Sequence, residues 1–454
     1  MTGLLGHGIG GIKDLPVPTY LFYWGGAIVL VVSFVALGVL WRRPLLRRLQ
    51  DGRALARRAP RGAGPALRVG AGAASVGLLG LVLAAALFGE TDDPNRNLAP
   101  TFVYVLFWLG LPLASLLLGD VWRYLSPWRA LADAWVWLRE RRGGRARPLG
   151  VYPERLGRWP GAVAYFAFTV LELAYTDPAN PRTLAVAIVV YSYWALFGMA
   201  AFGREAWTRH GEGFAVAFAY LARLSPVAWR DGGVRVRWPL AGLAGDERVP
   251  GSLAFVAVML GSVGFDGFSR TSTWQNVLAD VQSPYALDRP GLADLLTTLV
   301  DLGGLTATVL AVALAYRLAC ALARYGTRAP RDLVPEFLLA LVPIAFVYAL
   351  AHYFSLAVFQ GQYLARLASD PLGRGWDVLG TAAVQPDFAV VTPNTIWYVQ
   401  AAALVAGHVA GLAVAHDRAV TIFRRRDDAL GSQLPMLGLM VCYTVAGLWV
   451  LSRP

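Results

Sequence analysis

The sequence predicts an all-α polytopic integral membrane protein with about ten transmembrane helices. Hydrophobic residues make up 56% of the 454 residues and charged residues only 15%, and the mean hydropathy is +0.49. Several apolar runs approach the roughly 20 residues that an α-helix needs to cross a bilayer. The basic residues are also concentrated in alternate loops, which is typical of a polytopic membrane protein.

Ten apolar stretches can be followed along the chain. They are residues 20–40, 69–89, 100–119, 161–176, 183–202, 250–274, 292–323, 333–360, 394–417 and 434–451. The number of spans could differ from ten by one pair, because the fourth stretch is short and the seventh is long. No cleavable signal peptide is evident, so the first stretch is expected to direct insertion.

The distribution of basic residues predicts the orientation. With ten spans, 32 of the 41 lysines and arginines fall in one set of loops and eight in the other. Because basic loops remain in the cytoplasm, the arginine-rich loops are assigned to the inside and both chain termini to the outside of the cell membrane. This topology explains the net charge of +12 without nucleic acid binding.

The inner segments carry features expected at a membrane surface. Residues 121–147 contain four tryptophans among arginines, a pattern that predicts an interfacial helix contacting anionic lipid headgroups. Residues 231–240, DGGVRVRWPL, alternate like a small β-hairpin.

Five spans precede residue 250 and five follow it. The chain is therefore expected to form a single transmembrane domain with two halves, 1–249 and 250–454, in opposite orientations. Opposite orientation is the arrangement of an inverted repeat, although no clear self-similarity accompanies it. The outer loop 361–393 in the second half is long enough to act as a lid.

The sixth span draws attention because Gly261, Gly264 and Gly267 surround Asp266 near its outer end. Glycine weakens a helix, so the pattern predicts a break there. A carboxylate at that depth is costly unless it is paired, hydrated or functional. Asp266 is therefore the first candidate site residue, and the alternative is a residue that caps the helix at the membrane surface.

Three further ionisable residues fall in the predicted outer half of the membrane. They are Glu172, Asp301 and His352, each on a different span. With Asp266 they could form a hard cation site, a proton relay or a pocket for a small polar solute. The alternative is that two or more are interfacial groups in contact with headgroup water. Asp266 and His352 are expected to share one outward-opening polar cavity beneath the long outer loop.

The histidines raise the question of a metal or haem. His352 and His408 could face each other across two helices, and they are the candidate ligands for a metal ion or a haem iron. The alternative for each is a buried, hydrogen-bonded histidine. At the predicted inner level, His416, Asp417 and Arg418 mark either a helix end or a gate of ion pairs.

Other chemistries lack their signatures. Cys320 and Cys442 have no CxxC spacing, which argues against a disulfide framework or a zinc site. There is no Walker A sequence, GxGxxG, HExxH or GxSxG motif. These absences favour a secondary transporter or permease over an enzyme. The two alternatives are a membrane-embedded metal- or haem-dependent enzyme or redox protein, and a membrane scaffold subunit.

Overall fold

The computed structural model describes residues 19–54, 63–145, 147–230, 233–327, 329 and 331–451. Its helices are α1 (Thr19–Leu40), α2 (Leu46–Leu49), α3 (Ala63–Phe88), α4 (Leu98–Thr101), α5 (Leu111–Leu118), α6 (Trp122–Leu125), α7 (Pro127–Arg141), α8 (Trp159–Leu173), α9 (Pro181–Phe202), α10 (Arg204–His210), α11 (Gly213–Ala222), α12 (Ser252–Ser269), α13 (Ser272–Gln282), α14 (Pro290–Thr327), α15 (Val334–Phe337), α16 (Val342–Gln360), α17 (Tyr363–Ser369), α18 (Pro393–Ile422), α19 (Arg426–Gly431) and α20 (Leu434–Leu451).

Within the described residues, nine helical stretches are long and apolar enough to cross a membrane. They are Tyr23–Leu40, Ala66–Phe88, Leu98–Leu118, Pro181–Phe202, Ser252–Ser269, Pro290–Thr327, Val334–Gln360, Pro393–Ile422 and Arg426–Val450. This architecture fits the all-α class that the composition predicts. Each of the nine overlaps a predicted span, and the remaining predicted span coincides with α8.

Helix α8 determines how many times the chain crosses. It has 15 residues, which at 1.5 Å rise per residue give a length of roughly 22 Å, less than the roughly 30 Å of a bilayer core. The count of ten spans therefore depends on whether this short helix crosses. The terminal orientation depends on the same helix and stays a prediction.

The sixth span is continuous, in contrast to the break that its glycines predict. Helix α12 runs from Ser252 to Ser269 and packs against α8, α14, α16 and α20. A Cβ atom on Gly261 would lie 2.7 Å from the Cα atom of Val309 in α14, and one on Gly267 would lie 2.3 Å from a methyl group of Val450 in α20. These two glycines therefore permit close helix packing.

The third span contains a π-helical segment, Phe102–Gly110, between α4 and α5. The backbone N–H of Leu111 donates to the carbonyl oxygen of Leu106, five residues earlier. Pro112 follows directly and has no N–H to continue the α-helical pattern. Such wide turns are frequent at functional sites, and this one carries Trp108, which lies beside the candidate site described below.

The segments on the predicted inner side form secondary structure of their own. Strands β1 (Arg53–Ala54), β2 (Val227–Arg230) and β3 (Gly233–Val236) make an antiparallel sheet in the order β1-β3-β2. In its hairpin, Val227 pairs with Val236 and Ala228 with Arg235. Strand β3 lies within the predicted segment 231–240, whereas its partner β2 precedes that segment.

Helix α7 corresponds to the predicted interfacial helix. Trp135 and Trp137 are exposed on it, with the guanidinium groups of Arg139 and Arg141 over their rings at 5.9 and 4.1 Å. Its contact with anionic headgroups stays a prediction.

The division at residue 250 and the inverted repeat also stay predictions. Helix α1 of the first half packs against α18 and α20 of the second half.

Candidate functional site

Asp266 and His352 meet where α12 packs against α16. The Oδ2 atom of Asp266 lies 2.8 Å from Nε2 of His352, and the hydroxyl group of Tyr353 donates to the same oxygen at 2.9 Å. The Asp266 side chain is fully buried, whereas His352 is 16% exposed. Asp266 is therefore an interior carboxylate with two partners on the neighbouring helix, and Arg270, not Asp266, forms the C-cap of α12.

Glu172 lies on the other side of the Tyr353 hydroxyl, in the last turn of α8. The residue is 6% exposed, and neither carboxylate oxygen makes a hydrogen bond of good geometry with a described residue, although the Tyr353 hydroxyl and the Trp108 indole N–H lie close enough to interact with it as donors. Its charge interacts with that of Asp266, and the side chains of Tyr353 and Trp108 lie next to it. The structure thus aligns Glu172, Tyr353, Asp266 and His352 across three helices.

A small cavity adjoins Glu172. It has a volume of about 40 Å³ and is also lined by Tyr104 and Gln360. The side-chain oxygen of Gln360 is buried and has no hydrogen-bond partner among the described residues. A site needs at least about 10–15 Å³ of such volume to hold a water molecule, so this cavity has room and polar groups for ordered water.

Arg270 places a cation at the outer edge of this group. Its Nε atom is 3.6 Å from Oδ1 of Asp266, and its side chain is 48% exposed. Arg270 therefore places a partly solvated positive charge beside a fully buried carboxylate. We call Glu172, Asp266, Arg270, His352 and Tyr353 the outer cluster.

Asp301 is placed differently from the other three predicted site residues. Its Oδ1 atom accepts a 2.7 Å hydrogen bond from Nε1 of Trp274, which lies in α13. Trp274 packs against Phe265 and Phe268 of α12. Asp301 therefore borders the outer cluster through an aromatic side chain.

His408 is fully buried. Its Nδ1 atom lies 2.8 Å from the carbonyl oxygen of Leu404 in its own helix, and its ring packs against Tyr348. Its Nε2 atom is buried and has no hydrogen-bond partner among the described residues, so the structural and the ligand role of His408 both stay predictions. In the part of the chain that the structure describes, no three His, Cys, Asp or Glu residues group as metal ligands would.

The cavity beside His352 differs from the predicted polar cavity. It has a volume of about 370 Å³ and is lined mostly by apolar side chains of α12, α14, α16, α18 and α20. Asp266 is not part of its wall, because that carboxylate turns to His352 and Tyr353. The Asp266 carboxylate and the Tyr353 hydroxyl group thus lie outside the cavity wall, and His352 contacts both the cavity and Asp266.

The outer loop 361–393 packs against the connection between α3 and α4. The backbone N–H groups of Leu98 and Glu90 donate to the carbonyl oxygens of Pro371 and Leu372. Within the loop, Asp370 accepts from the N–H groups of Arg374 and Gly375. These contacts anchor the loop beside the bundle, and its action as a lid stays a prediction.

A second group of carboxylates lies at the predicted inner ends of the spans. Glu336 is 2.5 Å from Arg248 and accepts from Nε of Arg418 at 2.9 Å. Asp417 accepts from the backbone N–H groups of residues 45–47 at 2.5 to 3.3 Å. We call these residues, with Asp246, the inner network. Arg418 thus forms ion pairs between segments, and α18 continues past it to Ile422.

Sequence reasoning missed Tyr353, Arg270 and Glu336 as members of these groups. The signal for Tyr353 was its position beside His352 in the sequence AHYFS. Arg270 follows Asp266 by four residues, which places the two on one helix face. Glu336 had no signal, because its arginine partners come from distant segments. No protein-family model matches this chain, and neither does any curated protein or solved structure.

Proposed function

We propose that this chain is a multi-pass membrane transport protein, a secondary transporter or permease, that moves a small polar solute or ion and uses the outer cluster to bind and release a proton. The observation that carries the proposal is the alignment of two buried carboxylates with a tyrosine and a histidine inside the helix bundle. Ionisable groups at such depth are expensive and mark ion pathways or proton relays.

The order of the side chains supports proton movement. Tyr353 donates to Asp266, and a hydroxyl group can donate one hydrogen bond while accepting others. It can therefore link Glu172 to Asp266 if a proton or water reaches Glu172. An imidazole can carry a proton on either ring nitrogen, so His352, 2.8 Å from the Asp266 carboxylate, is placed to exchange a proton with it.

Charge balance explains how proton binding could be coupled to a second ion or solute. Asp266 and Glu172 are two acidic groups close to one arginine and one histidine. Gain or loss of one proton changes the net charge of this buried group by one unit, which strongly alters its attraction for another charged species at low dielectric. Such a differential interaction is what coupling between two ligands requires.

The test measures charge movement in proteoliposomes adsorbed to a solid-supported membrane. A pH jump should produce a transient current in the native protein, and Asp266→Asn should remove it while the protein is still expressed, inserted and folded. Asp280→Asn, an exposed carboxylate on α13, is the matched control and should retain the current. His352→Ala should shift or abolish the pH dependence. An undiminished current in Asp266→Asn would contradict the role of the outer cluster.

Transport itself is tested by adding candidate ions and small polar solutes to the same proteoliposomes. A sustained current or uptake that requires Asp266 is the expected result. If the native protein shows neither a pH-jump transient nor uptake of any ion or solute, the transport proposal is wrong.

A further inference from the structure

We infer that the 370 Å³ cavity beside His352 is a binding site for a lipid-soluble molecule of the quinone class, with a planar ring and a hydrogen-bonding group at its edge. Its volume lies within the roughly 300–1,000 Å³ of small-molecule sites. The inference goes beyond the transport proposal, because it concerns equilibrium binding of a ligand that need not be transported.

The position of the cavity determines how a ligand reaches it. Its wall includes Gly264, Thr308 and Tyr443 from three different spans, and all three are only half-buried. Gly264 lies within α12, Thr308 near the middle of α14 and Tyr443 near the middle of α20. A cavity that opens between helices at this depth faces the hydrocarbon of the membrane, so its ligand must be soluble in lipid.

The lining side chains fit a flat ring. Phe268, Tyr348, Tyr443 and Trp449 bring four aromatic rings to a cavity that is otherwise lined mainly by aliphatic residues. Aromatic side chains gain energy from offset or edge-to-face contact with another ring in addition to the burial of apolar area. A branched or saturated chain would gain only the burial term.

The polar contact is expected at His352. Two of the lining hydroxyl groups cannot donate to a ring carbonyl, because Thr308 already donates to the carbonyl oxygen of Gly304 at 2.9 Å and Tyr348 to that of Tyr443 at 2.6 Å. The imidazole of His352 also lines the cavity and rests against the buried carboxylate of Asp266. An imidazole nitrogen can donate to a ring carbonyl or accept from a ring hydroxyl.

Gly264 offers a way to fill the cavity without disturbing the helix packing. A Cβ atom built on it would meet only a methyl group of Thr308, at 3.7 Å, whereas a Cβ atom on Gly267 would collide with Val450. Gly264→Ala should therefore be accommodated, and Gly264→Leu should project into the cavity. Gly303 is exposed on α14 and has nothing within 4 Å of a built Cβ, so Gly303→Leu is the matched control.

Binding can be measured in phosphatidylcholine nanodiscs with decylubiquinone as the probe. The ring should quench Trp449 with a saturable component that is absent in Trp449→Phe, while collisional quenching of other tryptophans rises linearly. Gly264→Leu should weaken binding at least tenfold, and Gly264→Ala and Gly303→Leu should stay within about twofold. Circular dichroism verifies that each variant is folded. No saturable component in the native protein, or native affinity in Gly264→Leu, would overturn the inference.

A second arm tests the recognition of the ring oxygens. Decylbenzene has the same chain on a ring without oxygen, so it should compete with decylubiquinone about two- to tenfold more weakly, the equivalent of one net hydrogen bond. In a folded His352→Phe variant the two compounds should compete equally. Equal competition in the native protein would overturn the assignment to the quinone class.

Discussion

The outer cluster and the inner network are built from the same kinds of side chain, yet their carboxylates are bonded to different extents. Glu336 and Asp417 of the inner network are each met by several arginine or backbone donors. In the outer cluster, Asp266 shares one oxygen between His352 and Tyr353 and has the more distant Arg270 beside the other, and Glu172 has only the loosely placed donors of Tyr353 and Trp108.

This difference separates structural from functional charge. A buried carboxylate with a full set of donors is fixed, and removing a partner leaves an uncompensated charge. A buried carboxylate with unused acceptor positions retains capacity for a proton, a water molecule or a ligand. The inner network therefore holds segments together, whereas the outer cluster is suited to change its occupancy.

The first prediction concerns which side of the membrane each group of carboxylates faces, because a wrong topology would change the comparison most. Ten spans would place both termini outside, and nine would place them on opposite sides. We expect both termini outside, since 32 of the basic residues then face the cytoplasm. Alkaline phosphatase and green fluorescent protein fusions at each end report the two sides. A cytoplasmic signal from one end would show that α8 does not cross.

The second prediction contrasts two single substitutions in the interior. Glu336→Gln should lower the free energy of unfolding by about 3 kcal/mol, because it leaves Arg248 and Arg418 without their shared carboxylate. Glu172→Gln should lower it by less than the Glu336 substitution does, because Glu172 forms no ion pair with an arginine that the change would leave buried and uncompensated. Unfolding in mixed detergent micelles measures both.

The same pair should behave oppositely in function. Glu172→Gln is expected to reduce the pH-jump current, and any Glu336→Gln protein that remains folded should retain it. Equal destabilisation by the two substitutions would remove the distinction between the cluster and the network.

Sequence reasoning found the outer cluster by depth alone. Glu172, Asp266 and His352 were selected because they lie at similar heights on different spans, and height follows from residue number at 1.5 Å per residue. The direction in which each side chain points does not follow, so the sequence could not show that Asp301 bonds to Trp274. Tyr353 was missed because a tyrosine in an apolar helix resembles ordinary core.

The helix class was predictable for a simpler reason. A chain that crosses a membrane requires long apolar helices, and these can be recognised from the amino-acid composition and from the length of the apolar runs. The role of the glycines in α12 was not predictable, because it depends on which helices approach them. Asp417 and Arg418 of the inner network were visible as a possible group of ion pairs, but Glu336 was not, since its arginine partners were already explained by the orientation of the loops.

The third prediction concerns the contact of the predicted inner surface with lipid. Replacing phosphatidylcholine by phosphatidylglycerol should stabilise the native protein, and Arg139→Gln with Arg141→Gln should reduce that gain by at most about 2 kcal/mol, or roughly 1 kcal/mol per arginine. Glutamine keeps the length of the side chain but removes the charge. The difference should disappear in 1 M salt, where the screening length is about 3 Å. A gain that is independent of salt and of both arginines would contradict headgroup binding by α7.

The smallest effect is expected from Asp246, at the exposed edge of the inner network. Its carboxylate lies 2.5 Å from Arg248 and 3.7 Å from Arg418. Partial burial, the largest single influence, would raise the pKa of Asp246, but the hydrogen bond from Arg248 and the charges of Arg418 and Arg248 together outweigh it. The pKa of Asp246 therefore lies below its usual value.

The sign of the pH dependence follows from that direction. A carboxyl group whose pKa is lower in the folded than in the unfolded protein stabilises the fold fully above the unfolded pKa, near 3.9, and loses this contribution as the pH falls through the folded pKa. The native protein should therefore exceed Asp246→Asn in free energy of unfolding at pH 6, by less than about 1 kcal/mol because the ion pairs are exposed. Denaturant titrations between pH 6 and pH 2.5 should show the two proteins converging at the acidic end, since the protonated native carboxyl then resembles the amide. A gap that stays constant over this range would mean that Asp246 acts through packing and not through its charge.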